Sequence, residues 1–259
     1  MNTRTFVRVV CVIMSVLPTL TACTDSSTRP RRLTDLSVSP AVWGVLEVPT
    51  TPGPHPAVIL LPGSYGWRAD YAGFARTFAD SGFVTLAVNY YGETGRGATP
   101  AEEKEHWAAW QATVRNAVAY MDTLGAVAHQ PVALVGYSRG AFLAISVAGT
   151  VPAVKAVVDY YGGGSDDDPS VVEIAKFPPL LILHGEADTE IPVALAHRLY
   201  DRIKANGGDV EMHLYPRAEH SFNGPWATTY SRPDAADAWT RTIAFLRRRL
   251  SPVADASGH

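Results

Sequence analysis

Hydrophobic and polar positions divide most of the chain into short apolar runs separated by longer amphipathic stretches. Apolar residues dominate Ala57–Leu61, Phe83–Val88, Val132–Val135, Ala156–Val158 and Leu180–Leu183, while Val210–Tyr215 alternates with period two. Runs of this kind suit strands buried on both faces, as in a parallel sheet. The stretches between them carry helical spacing instead. Tyr71, Phe74 and Phe78 recur on one face of 70–79. The stretch 100–124 opens with Pro100, Glu102, Glu103 and Glu105, residue types that suit a helix N-terminus. Further helices are predicted over 140–149, 192–205 and 233–250. This order predicts βαβ units: an α/β domain over 41–250, with a mostly parallel sheet covered by helices on both faces.

The first residues follow another pattern. Arg4 and Arg8 precede an apolar stretch from Val9 to Leu20, too short for a comfortable membrane span and ordered like a secretory signal. It ends in Leu20-Thr21-Ala22-Cys23, which resembles a bacterial lipobox. The expectation is a lipoprotein signal over 1–22 that is removed, leaving Cys23 lipidated as the first residue. Several acyl chains on one residue make a stable anchor. Residues 23–40 are then a polar tether and 251–259 a polar tail. The protein is expected to be an exported bacterial lipoprotein, on the outer side of a cell membrane or facing the periplasm.

Composition narrows the chemistry. Of 259 residues 47% are hydrophobic, enough for a full core and too many for a disordered chain. A net charge of −3 lacks the basic surplus of a nucleic-acid binder, so no nucleic-acid partner is expected. Cys11 and Cys23 are the only cysteines, which excludes a disulfide scaffold and a multi-cysteine metal site.

The third apolar run leads into Gly136-Tyr137-Ser138-Arg139-Gly140 and then directly into a helix. G-x-S-x-G between strand and helix is the setting in which a serine hydroxyl is presented as a nucleophile, as in the α/β-hydrolase fold. Such a hydroxyl needs a general base, usually a histidine oriented by a carboxylate. In this fold the chain order is serine, acid, histidine. The segment after the fifth run, His184-Gly185-Glu186-Ala187-Asp188, supplies acids, with Glu190 close behind. His220 follows the sixth run and is the candidate base. His184 precedes the acids and is read as structural, as are His55, His106, His129, His197 and His213. A tetrahedral intermediate also needs two backbone donors. The N–H of Arg139, next to the nucleophile, is one; Ser64 in Pro62-Gly63-Ser64-Tyr65-Gly66 is the other, with Tyr65 in reserve. Asp166-Asp167-Asp168 has no regular calcium-ligand spacing and is read as a solvated loop. The glycine-rich stretch Tyr90–Pro100 is expected to border the pocket.

Gly136–Gly140, the segment HGEADTEIP (184–192), YPRAEHSFNG (215–224) and Tyr160-Tyr161-Gly162-Gly163 together resemble the dienelactone hydrolase family of the α/β-hydrolase superfamily. The likeness spans about Pro56 to Leu250. It implies Ser138 as nucleophile, Asp188 as acid and His220 as base. The family's usual nucleophile is cysteine; this chain has serine, as more general esterase-like relatives do. The expected activity is hydrolysis of small esters or lactones without a metal or organic cofactor. Thioester, amide or peptide cleavage by the same residues, or a non-catalytic surface-anchored binding protein of the same fold, are the alternatives.

Overall fold

A computed structural model describes residues 31–32, 43–92, 100–164 and 177–251. The signal segment, Cys23, Asp166–Asp168 and the tail beyond Ser251 lie outside the described residues. Among the described residues eight strands form one sheet in the order β1-β2-β4-β3-β5-β6-β7-β8. They are β1 (Arg31–Arg32), β2 (Trp43–Glu47), β3 (Ala57–Leu61), β4 (Val84–Asn89), β5 (Val132–Tyr137), β6 (Val154–Tyr160), β7 (Leu180–Gly185) and β8 (Val210–Tyr215). Among the described residues five helices connect and follow them: α1 (Asp70–Asp80), α2 (Pro100–Asp122), α3 (Arg139–Ala148), α4 (Ala194–Ala205) and α5 (Arg232–Leu250). From β4 to β8 all neighbours are parallel, whereas β2 pairs antiparallel with β4 and β1 antiparallel with β2.

Side-chain alternation assigns the two faces. Ala57, Ile59 and Leu61 pack under α2, α3 and α4 with Leu134, Val157, Ile182, Trp110, Val118, Leu143 and Leu199. Val58 and Leu60 turn to the other face, where Val135, Val158, Leu183, Phe78, Phe245 and Leu246 join α1 and α5. The central strands have no polar face because both sides are roofed, which is why they read as unbroken apolar runs. Each fully buried Leu, Ile or Val contributes about 1.5–3 kcal/mol relative to exposure.

The structure departs from the sequence pattern at the antiparallel edge. Strand β2, Trp-Gly-Val-Leu-Glu, was not among the expected runs, and it pairs with β4 over its full length. Arg31 and Arg32, inside the stretch expected to be a tether, pair with Gly44 and Trp43. Without that pairing β2 would be an edge strand, whose unpaired N–H and C=O groups an extended segment such as β1 can satisfy.

Strand order also fixes where a ligand can sit. The chain runs from β3 outward to β4, then crosses back over β3 to β5. Connections leaving the carboxyl ends of β3 and β5 therefore part in opposite directions, and the crevice between them is where open α/β sheets bind ligands. The loop after β3 contains Ser64, and the turn after β5 contains Ser138.

Candidate active site

Ser138 stands between β5 and α3 with φ 53° and ψ −121°, a left-handed backbone that a side chain rarely adopts. Strain of this kind costs on the order of 1–3 kcal/mol and persists only where its surroundings enforce it. Here its N–H donates to the Tyr160 carbonyl (2.9 Å) and its own carbonyl accepts from the Ala141 N–H (2.8 Å). The turn also depends on absent side chains. A Cβ at Gly140 would lie 2.1 Å from the Leu61 carbonyl oxygen, and one at Gly136 would lie 2.3 Å from the Ala141 Cα. The glycines flanking the serine let α3 start directly against the ends of β3 and β5.

The Ser138 hydroxyl does not cap α3; it meets His220, whose Nε2 lies 2.9 Å from Oγ. His220 Nδ1 lies 2.7 Å from Asp188 Oδ2. The other Asp188 oxygen accepts the backbone N–H groups of Glu190 (2.9 Å) and Ile191 (2.8 Å). Burial by itself raises the Asp188 pKa, but hydrogen bonds from His184, His220 and the Ile191 N–H outweigh it and hold the carboxyl well below the usual carboxylate range. Asp188 is thus a fixed anion, and it selects the His220 tautomer that leaves Nε2 free to accept the serine proton.

Close backbone approach brings the acid and histidine loops together. A Cβ at Gly185 would stand 2.1 Å from the Ala218 carbonyl oxygen, and Ala187 N–H donates to that carbonyl at 3.1 Å. Thr229 Oγ1 donates to the His220 carbonyl at 2.6 Å, and the Tyr161 ring packs edge-on to the imidazole at 4.8 Å. Neither Thr229 nor Gly185 stood out in the sequence. The five-residue pattern G-x-S-x-G signals a turn, whereas these contacts join positions far apart in the chain.

The loop after β3 is tied from three sides. Gly63 N–H donates to Tyr71 Oη (3.1 Å), Tyr91 Oη donates to the Gly63 carbonyl (3.1 Å), and Tyr90 Oη donates to the Pro62 carbonyl (2.7 Å). Gly63 lies against the serine, since a Cβ there would be 3.3 Å from the Ser138 Cβ. Ser64 follows it and is half-buried, while Tyr65 is 64% exposed. Among the described residues no protein acceptor takes the backbone N–H of Ser64 or Arg139. The Arg139 side chain is occupied elsewhere, in an ion pair with Glu103 and a hydrogen bond to Tyr91.

Structure thus brings Ser138, Asp188 and His220 into one hydrogen-bonded chain, beside the turns that carry Arg139 and Ser64. Glu190 Oε2 stands 3.9 Å from His220 Nε2 on a 55% exposed side chain, and Glu186 makes no contact with the imidazole. Asp188 is the acid that meets the histidine. His184 is buried, as a structural histidine should be, but it also lies 3.4 Å from Asp188 Oδ2. Among the described residues no group of three or more His, Cys, Asp and Glu is placed to hold a metal ion. The arrangement can do acyl transfer: a hydroxyl next to a base, the base oriented by an anion, and free N–H donors nearby.

Known proteins resemble the chain in sequence and in fold. Residues 42–250 match the model of the dienelactone hydrolase family. A Methylorubrum extorquens protein provisionally named carboxymethylenebutenolidase is 26% identical, over 78% of this chain and 75% of its own. A Bradyrhizobium protein provisionally named 2-oxo-3-(5-oxofuran-2-ylidene)propanoate lactonase is 26% identical, over 79% of this chain and 88% of its own. Two solved structures share the fold. A dienelactone hydrolase-like promiscuous phosphotriesterase from metagenomic libraries superposes with TM-score 0.75 at 21% identity, over 85% of this chain and 97% of its own. A Klebsiella pneumoniae protein provisionally named dienelactone hydrolase gives 0.73 at 22% identity, over 85% and 98%.

Proposed function

The chain belongs to the dienelactone hydrolase family, and from that membership we propose that it is a serine hydrolase of small carboxylic esters or lactones, working through an acyl-enzyme on Ser138. The observation that carries this reading is the continuous hydrogen-bonded line from Ser138 Oγ through His220 to Asp188. Ser138 Oγ attacks the carbonyl carbon as His220 Nε2 takes its proton. Asp188 accepts the Nδ1–H bond and balances the imidazolium that forms. The negative oxygen of the tetrahedral intermediate receives the N–H groups of Arg139 and Ser64. Collapse expels the alcohol, which takes the proton back from His220. Water, deprotonated by the same imidazole, then releases the acid. None of these steps calls on a metal or an organic cofactor.

Reagent selectivity tests this reading. The sequence has no cysteine after Cys23, so a soluble protein beginning at Thr24 has no thiol to react. Its ester hydrolysis is expected to be indifferent to iodoacetamide, which attacks thiolates. A fluorophosphonate should abolish the activity with one adduct, on Ser138, because the base and the N–H donors activate that hydroxyl above other serines. Peptide mapping decides: an adduct on another serine, or an active enzyme that takes no adduct, overturns the assignment.

We infer from Leu20-Thr21-Ala22-Cys23 that the mature chain is membrane-anchored through lipid on Cys23, with residues 24–30 as the spacer ahead of β1. Intact-mass measurement of the protein from its own cells should give a chain starting at Cys23 with acyl mass added. Cys23→Ala should abolish lipid labelling and leave an unprocessed precursor. A mature chain without an adduct at Cys23 refutes the anchor and leaves the hydrolase reading untouched.

A further inference from the structure

Ester cleavage by a serine and a histidine fixes where the two halves of the substrate lie. The acyl carbon bonds to Ser138 Oγ, and the nitrogen that took the serine proton returns it to the departing oxygen. That nitrogen is His220 Nε2. The alcohol half therefore leaves across His220, and a charge beside Nε2 is also a charge beside the alcohol.

Glu190 supplies such a charge. Its Oε2 lies 3.9 Å from His220 Nε2, on a side chain that is 55% exposed. A proton passes between heavy atoms about 3 Å apart, so a departing oxygen in reach of Nε2 lies no more than about 7 Å from Glu190 Oε2. The backbone around Glu190 is tied to the catalytic acid: the N–H groups of Glu190 and Ile191 both donate to Asp188 Oδ1, at 2.9 and 2.8 Å. Asp188 itself has no exposed side-chain surface and is surrounded by donors. Glu190 is thus the carboxylate that an incoming ligand meets.

Neighbouring cations do not cancel it. Among the described residues the Glu190 carboxylate has no ion-pair partner except His220. Arg139 is paired with Glu103 and Arg68 with Asp70, and Arg217, on the histidine loop, is not within ion-pair distance of Glu190. Glu186 and Glu219, both exposed, extend the negative sign along the acid and histidine loops. Exposed carboxyl groups are ionised at neutral pH.

We propose that Glu190 selects the charge of the alcohol half, so that the enzyme favours esters of cationic or neutral alcohols over esters whose alcohol carries an anion. The proposal rests on the hydrolase reading with His220 as base. An anion brought this close to Glu190 is repelled and a cation attracted. Water screens a carboxylate that is more than half exposed, which keeps the effect modest. About tenfold in kcat/KM between a cationic and an anionic alcohol is expected at low salt. The bias acts on acylation alone, because esters of one acid share the same acyl-enzyme once the alcohol has left.

Three acetate esters test it. Choline, its neutral carbon analogue and isethionate place trimethylammonium, tert-butyl and sulfonate on the same two-carbon spacer from the ester oxygen. None of these groups titrates near neutral pH. Each kcat/KM is divided by the rate of the same ester with hydroxide, which removes intrinsic reactivity. The quotients should fall in the order choline, tert-butyl, isethionate, spanning about tenfold. Raising the salt to about 0.5 M should shrink the span to about twofold, since the screening length falls well below the separation. In Glu190→Gln the span should close to a similar value and lose its salt dependence. Any influence of Glu190 on the basicity of His220 is common to the three esters and cancels in the ratios.

A folded Glu190→Gln enzyme that keeps the parental span overturns the proposal, and so does a parental order that is reversed. A span that survives high salt overturns it as well, because shape would then be sorting the alcohols. Failure of the hydrolase reading looks different: none of the three esters is turned over, and a fluorophosphonate leaves no adduct on Ser138. That result brings down both.

Discussion

Ser138→Ala should lose roughly 10³-fold or more in kcat on any ester the protein hydrolyses, with a much smaller change in KM. The direction follows from what the hydroxyl touches. Its side chain makes no cap bond to α3, and its hydrogen bond is to His220 Nε2 at 2.9 Å. Removing it therefore takes away the attacking atom and little packing. The unusual backbone at Ser138, φ 53°, is held by the Tyr160 and Ala141 bonds, which an alanine keeps. Thermal melting should accordingly stay close to that of the parent. His220→Ala should cost a similar factor, and the double variant should be little worse than either single one, because nucleophile and base act as a unit. Losses that multiply, or a Ser138→Ala protein with parental kcat, would mean that another residue attacks.

Much of this arrangement was legible in the sequence, for identifiable reasons. A strand roofed on both faces cannot hide polar residues, so Ala57–Leu61 coincides with β3 to the residue, while the edge strand β8 coincides with Val210–Tyr215 through its period-two alternation. Serine, acid and histidine each follow an apolar run. The carboxyl ends of parallel strands share one edge, so the three had to converge there. What stayed hidden depends on partners remote in sequence. Strand β6 extends beyond the apolar core Ala156–Val158 to Asp159 and Tyr160. Those two are buried because the Gly162 N–H donates to Asp159 Oδ1 and the Tyr160 hydroxyl shares a hydrogen bond with Thr242 Oγ1. Strand β2 is five residues that gain their order from β4, not from a strong pattern of their own. Helix α4 begins at Ala194, two residues later than Pro192 suggested. His184 reads in the sequence as structural, and it is buried, but its spacing from Asp188 says nothing about which oxygen it approaches. Only the path of the loop through Gly185 does that.

Gly140→Ala should be among the most damaging single-methyl changes in the domain. Gly140 is buried in the first turn of α3, and an added Cβ would stand 2.1 Å from the Leu61 carbonyl oxygen, 2.5 Å from that of Pro62 and 2.6 Å from the Leu61 carbonyl carbon. All three are backbone atoms at the end of β3, so no rotamer change relieves the clash. Either α3 moves away, taking the Arg139 N–H with it, or the loop carrying Gly63 and Ser64 moves. Overpacking of this kind costs about 3 kcal/mol or more. In a domain of this size that lowers Tm by roughly 6–12 °C. Separating the two N–H donors should also lower kcat on the order of 10²-fold in whatever protein stays folded. Gly73→Ala is the internal control. Gly73 is exposed in α1, and a Cβ there meets nothing within 4 Å. The same chemical change should stabilise it by about 0.5–1 kcal/mol through helix propensity, with activity unaltered. Opposite signs at the two glycines, read by thermal melting and ester turnover on the same day's protein, would tie catalysis to the contact between α3 and β3. Equal effects, or a Gly140→Ala enzyme with parental Tm and kcat, would show that the contact is not the constraint that aligns the two donors.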